Sequence, residues 1–169
     1  MKLDVSDLIR KNKTYKEVHV ELKDSEGFFD GTEKINYFKV PKLNGEVSIS
    51  DNVIVLDGKL QADLELTCSR CLEKFHYPID MNIQEQFVID DPSNEDNDDL
   101  IVINGDVIDI TKVIENNIIV QLPIKRLCKE DCKGLCQKCG ANLNVSECNC
   151  ETLDVDPRLA KLKDFFSNN

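Results

Sequence analysis

Eight cysteines in a 169-residue chain most limit what it can fold into, and they fall in only two places. Cys68 and Cys71 stand in LTCSRCLEKF. The other six, Cys128, Cys132, Cys136, Cys139, Cys148 and Cys150, stand in CKEDCKGLCQKCGANLNVSECNC. The N-terminal stretch MKLDVSDLIRKNKTYKEV has neither the apolar run nor the small-residue cleavage site of a secretory signal. No apolar run approaches the roughly 20 residues that span a bilayer. The expectation is therefore a cytoplasmic protein without a membrane partner. Thiols stay reduced in that compartment, so clustered cysteines point to metal or redox chemistry before cross-links.

A Cys-x-x-Cys turn aims two sulfurs at one tetrahedral ion while its amides donate hydrogen bonds to the thiolates. Zinc takes four such ligands, so eight cysteines suit two closed sites. The firmer set is Cys136, Cys139, Cys148 and Cys150. Cys136-Gln-Lys-Cys139 is followed by Gly140, which is free to take a positive φ. Cys148-Asn-Cys150 returns after a short polar loop containing Asn142, Asn144 and Ser146. The second set joins Cys68 and Cys71 to Cys128 and Cys132, closing a long loop and stapling the C-terminal segment to whatever carries the first pair. Spacing alone leaves open an exchange of Cys128 or Cys132 between the sites. Two structural zinc ions are the expected cofactors.

Other chemistries find less support. Cys68-Ser-Arg-Cys71 would suit a thiol oxidoreductase, with Arg70 favouring a thiolate, but a thioredoxin-like pair expects a strand-to-helix transition. No ferredoxin-type spacing is present. The two histidines, His19 and His76, lie in strand-like segments and read as surface residues. No GxSxG, phosphate loop or HExxH occurs. A four-cysteine zinc site keeps no open coordination position. The chain is therefore expected to be non-enzymatic, to have no small-molecule substrate, and to act by binding or assembly.

The expected fold is α+β in a single domain over residues 1–169. Leu60, Ala62, Leu64 and Leu66 alternate with polar residues, as do Tyr77, Ile79, Met81 and Ile83, which marks strands with one buried face. Asp57-Gly58 between Val53–Leu56 and Lys59–Thr67 reads as a hairpin turn, and Asn44-Gly45 as another one hairpin earlier. The result is an antiparallel β-meander. Leu100–Ile103 suggests a further strand before Asn104-Gly105. Ile110, Val113, Ile114, Ile118 and Leu122 then follow helical spacing, with Asp109 as N-cap and Pro123 beyond the end. This helix should pack on the sheet. A cysteine-rich, zinc-stapled segment over 128–150 follows, and a short helix is expected from Pro157 to Phe166.

Charge is uneven. The total is −11. Residues 91–123 hold one basic and eight acidic side chains, whereas residues 124–169 hold eight and seven. DDPSNEDNDD at 90–99 reads as a solvated acidic loop. An acidic chain makes a poor general nucleic-acid binder. With no Trp, three Tyr and seven Phe, broad stacking on single strands is not expected. Arg70, Lys125, Arg126, Lys129, Lys133 and Lys138 nevertheless gather around the cysteines and are the candidate RNA contacts.

LTCSRCLEKF and LPIKRLCKEDCKGLCQKCGANLNVSECNC together resemble the bacterial YceD family, the large ribosomal RNA subunit accumulation proteins. The matching positions are Cys68, Arg70, Cys71, Cys128, Cys132, Gly134, Leu135, Cys136, Cys139, Gly140, Asn142, Leu143, Asn144, Cys148 and Cys150. GLCQKCGANLN is the most specific stretch, and Cys-x-Arg-Cys-Leu the next. The resemblance implies a role in accumulation or processing of large-subunit (23S) ribosomal RNA and in ribosome assembly. The implied partners are that RNA or a pre-ribosomal particle, with an adaptor that binds basic ribosomal proteins as the alternative.

Overall fold

Three long strands organise the protein, each alternating apolar and polar side chains so that one face is buried. The computed structural model describes residues 1–23, 26–50, 53–89, 101–103 and 105–150. The expected acidic loop at 90–99 and the expected helix from Pro157 to Phe166 lie outside them. In chain order the elements are β1 (Lys2–Asp4), α1 (Ser6–Ile9), β2 (Tyr15–Glu21), β3 (Gly27–Phe29), β4 (Lys34–Ser50), β5 (Val53–Thr67), β6 (Lys74–Ile89), β7 (Ile101–Ile103), β8 (Val107–Asp109) and α2 (Ile110–Gln121).

β4, β5 and β6 form the antiparallel meander. β2 and β3 pair with different stretches of β4 along the same edge, and β7 joins the other side. β7 runs parallel to β6, with Phe87 opposite Ile101, so the sheet is mixed rather than wholly antiparallel. β1 and β8 make a separate two-stranded piece.

The two expected glycine turns are not turns. Asn44-Gly45 lies inside β4 and Asp57-Gly58 inside β5, and the glycines sit opposite each other across the pair. A Cβ at Gly45 would come within 2.1 Å of the Asp57 carbonyl oxygen, so a close approach of two backbones, not a reversal, is what needs glycine there. The chain reverses between Ser50 and Val53 instead, and again between Thr67 and Lys74. The second reversal puts Cys68 and Cys71 at a hairpin tip.

The buried face of the sheet, through Leu43, Val47, Ile54, Leu56, Leu60, Leu64, Ile79, Ile83 and Phe87, meets Ile110, Val113, Ile114 and Ile118 of α2. Each such side chain contributes about 1.5–3 kcal/mol when fully buried, which is why a helix of modest intrinsic propensity forms here. Its start differs in detail from the expectation. The Asp109 side chain makes no capping bond, and the Ile110 amide donates instead to the Met1 carbonyl at 3.0 Å. The helix stops before Pro123, which disfavours helical backbone in the residue ahead of it. The outward face of the sheet carries cross-strand ion pairs such as Lys59–Asp80 (2.9 Å). His19 and His76 are exposed strand residues, His76 against the ring of Phe38.

Candidate metal centres

The turn from Cys68 to Cys71 and the turn from Cys136 to Cys139 are built alike. In each, the residue after the second cysteine donates its amide to the carbonyl of the first, Leu72 to Cys68 and Gly140 to Cys136, both at 2.9 Å. Both residues take a positive φ, 60° at Leu72 and 73° at Gly140. Gly140 adopts it freely. Leu72 does so against the clash of its Cβ, worth about 1–2 kcal/mol. Because Leu72 is 65% exposed, Leu72→Gly loses little packing. It is expected to raise stability by about 1 kcal/mol in urea unfolding, relief of strain outweighing the added freedom of the unfolded chain.

Downstream of α2 the chain returns to the Cys68–Cys71 hairpin. The Ser69 amide and hydroxyl both donate to the Arg126 carbonyl, at 2.7 and 2.8 Å. The Arg70 guanidinium donates to the Cys132 carbonyl at 2.8 Å, and the Leu135 amide to the Arg70 carbonyl at 3.1 Å. These bonds bring Cys128 and Cys132 against Cys68 and Cys71. Cys68 Sγ lies 3.7 Å from Cys132 Sγ, and Cys71 Sγ 3.6 Å from Cys128 Sγ. The second group is Cys136, Cys139, Cys148 and Cys150, and within each group the sulfurs all lie within 4.8 Å of one another. The fold thus places the eight cysteines in the two sets that the spacing favours, all as free thiols.

The donor set fits a soft divalent cation. Tetrahedral bonds of about 2.3 Å to sulfur put neighbouring sulfurs roughly 3.8 Å apart, and the first tetrad is already close to that. Its Cys68, Cys71 and Cys132 are buried, whereas Cys139 of the second is exposed.

Against burial, hydrogen-bond donors hold Cys68 and Cys132 of the first tetrad and Cys136 of the second below the usual thiol value. Burial pushes the Cys68 thiol up, but the amides of Cys71, Cys128 and Arg70 outweigh it and bring it down to about 6. The amides of Cys139 and Lys138 do the same for Cys136, also to about 6. Burial, with the Cys71 and Cys132 thiols, pushes Cys128 up to about 12. The Cys139 thiol and burial push Cys150 up to about 12. Thiols this close cannot all ionise together unless a cation lies between them.

The basic residues divide. Lys125, Lys129, Lys133 and Lys138 are exposed around the tetrads, Lys129 with Asp131 at 3.9 Å. Arg70 is exposed, with one nitrogen on the Cys132 carbonyl. Arg126 points inward, its side chain 18% exposed, and forks onto Asp30 and Glu33 of the β3–β4 turn. A guanidinium spent on two carboxylates is not offered to phosphate, so Arg126 drops out of the set available for RNA contact. Sequence reasoning missed Asp30, Glu33 and Glu73 as supports. Asp30-Gly31-Thr32-Glu33 does carry a turn signal, with the Asp30 carboxylate accepting from the amides of Thr32 and Glu33, each at 2.8 Å. Nothing in the spacing marks Glu73, whose carboxylate accepts from Asn142 Nδ2 at 2.8 Å.

Fold and clusters define a mixed β-sheet protein bearing two cysteine tetrads, each able to hold a metal ion. Residues 56–166 match the family described as large ribosomal RNA subunit accumulation protein YceD. The chain belongs to that family. It is 28% identical over 123 residues to the "Uncharacterized protein YlbN" of Bacillus subtilis (strain 168), covering 72% of each chain. An uncharacterized protein of Mycobacterium tuberculosis (strain ATCC 25618 / H37Rv) is 30% identical over 118 residues, 68% of this chain and 56% of the relative. The "Large ribosomal RNA subunit accumulation protein YCED homolog 1, chloroplastic" of Arabidopsis thaliana is 43% identical over 49 residues, 29% of this chain and 15% of that protein. This chain therefore spans about half the length of the mycobacterial relative. No solved structure matches. Among the described residues no helix is long and apolar enough to cross a membrane.

Proposed function

We propose that both tetrads hold structural zinc and that the protein serves, without catalysis, in the accumulation of large-subunit ribosomal RNA by contacting pre-ribosomal RNA in the cytoplasm. The observation that carries this is the grouping of exposed Lys125, Lys129, Lys133 and Lys138 on the segment that the tetrads order. Elsewhere the charge works against RNA. Two four-thiolate zinc centres, each net −2, take −11 to −15, so the contact has to be local. Zinc here orders the loop. Four sulfurs leave it no position for water or substrate, which fits a non-enzymatic role and not a Cys68–Cys71 oxidoreductase.

The Lys125→Glu/Lys129→Glu double variant is expected to weaken retention on large-subunit RNA about tenfold or more at low salt, and less at high salt. Electrophoretic mobility of purified protein with naked RNA measures it, and unchanged binding would sink the lysine patch. Native mass spectrometry under reducing conditions should count two zinc ions per chain.

A second reading is favoured by the outward sheet face, where the carboxylates of Glu17, Glu46 and Asp57 outnumber Lys59 in a trough also lined by Asn44 and Gln84. A basic ribosomal protein seated there would make RNA contact indirect. Naked RNA would then fail to bind until that protein is added.

A further inference from the structure

Asn144 belongs by sequence to the second tetrad, in the loop between Cys139 and Cys148, but its side chain serves the first. Its Oδ1 accepts from the Lys133 amide at 2.9 Å. Its Nδ2 donates to Cys132 Sγ at 3.3 Å and to Asn142 Oδ1 at 2.9 Å. Asn142 Oδ1 also accepts the Asn144 amide at 2.9 Å, and Asn142 Nδ2 donates to Glu73 at the base of the Cys68–Cys71 hairpin.

The backbone carries the same connection. The Leu143 amide donates to the Gly134 carbonyl, and the Cys136 amide to the Ala141 carbonyl, at 2.9 and 2.8 Å. The loop that presents Asn144 is thus bounded on both sides by ligands of the second tetrad, while its amide ends on a ligand of the first.

We propose that Asn144 is a positioning residue that couples the two tetrads. Closing the second tetrad on its ion fixes the 140–147 loop and so holds the Asn144 amide on Cys132 Sγ. That bond stabilises Cys132 as a thiolate ligand and raises the affinity of the first tetrad. The inference rests on both tetrads holding metal. An N–H donor to a ligand sulfur is worth about tenfold in metal affinity, and coupling between sites is reciprocal, so each ion tightens the other by the same factor.

Cadmium(II) loaded into the full chain tests this, because the two CdS4 sites give separate ¹¹³Cd resonances whose occupancies can be followed against a competing chelator. The Cys139→Ser/Cys148→Ser variant assigns the first-tetrad signal. Asn144→Ala is expected to weaken cadmium at both tetrads about tenfold and to shift the first-tetrad resonance. In the Cys139→Ser/Cys148→Ser background the same substitution should leave first-tetrad affinity unchanged. Asn144→Asp keeps the acceptor for Lys133 but replaces the donor to sulfur with an anionic oxygen, so it should weaken cadmium at least as much as Asn144→Ala. This arm needs no ligand variant to fold. Weakening at the first tetrad alone, or an equal loss with the second tetrad disabled, would overturn the coupling and leave the metal reading intact. Absence of cadmium from both tetrads would overturn both.

Discussion

Replacing Cys68 with serine is expected to lower the unfolding free energy by about 4 kcal/mol, and to make stability insensitive to added zinc or chelator at that site. The magnitude follows from chain entropy. Cys68 lies 64 residues from Cys132, and Cys71 lies 57 from Cys128. Cross-linking a loop of about 60 residues removes roughly 4 kcal/mol of freedom from the unfolded chain. Cys68 is fully buried, so the variant also places a hydroxyl, a poor ligand for a soft cation, where the thiolate stood. Urea unfolding followed by circular dichroism measures the loss, and a variant within 1 kcal/mol of the parent would show that no ion closes this tetrad. The second tetrad should behave differently. Cys136 and Cys150 close a short loop beside the sheet, so Cys139→Ser is expected to strip hydrogen-exchange protection from 136–150 while β4, β5 and β6 keep theirs.

That contrast was legible in the cysteine spacing, because ligand chemistry depends on few residues and local turns. The strand ends were less legible. Asn-Gly and Asp-Gly are strong hairpin signals, yet the apolar phase contradicted them. In a two-residue turn at Asp57-Gly58, Leu56 and Lys59 would face the same side. A continuous strand keeps Leu56, Gly58 and Leu60 together, as the buried face requires. Phase across the glycines was the better evidence. The parallel pairing of β7 had no local signature, since it depends on how the chain returns after β6. The role of Arg126 is hidden in the sequence for a related reason. Its partners, Asp30 and Glu33, are more than ninety residues away, and composition cannot distinguish a cation paired inward from one left for phosphate.

Arg126→Ala is accordingly expected to destabilise the protein by about 3–5 kcal/mol rather than merely to weaken RNA binding. The Asp30 side chain is only 4% exposed. Its carboxylate accepts from the Thr32 amide and hydroxyl, the Glu33 amide and Arg126. Burial alone would raise its pKa, but the Glu33 amide, then Arg126, then the Thr32 amide and hydroxyl together hold it well below the usual carboxylate range. A carboxylate depressed in the folded state contributes stability above its unfolded pKa of about 3.9, and loses it as pH falls through the lower folded value. The parent should thus stay folded in acid to a lower pH than Arg126→Ala, in which Asp30 keeps its burial but loses its cation. The gap between the two should be widest near neutrality and narrow below pH ~4, where protonation relieves the variant's buried charge. Thermal unfolding of both chains from pH 7 to pH 3 measures it, and a constant gap would show that the pairing with Asp30 is not its source. The same substitution also bears on RNA. Because Arg126 holds the segment that presents Lys125 and Lys129 against the β3–β4 turn, its loss should impair RNA retention only under conditions where the segment has come away. The Lys125→Glu/Lys129→Glu variant should impair retention while the protein remains fully folded.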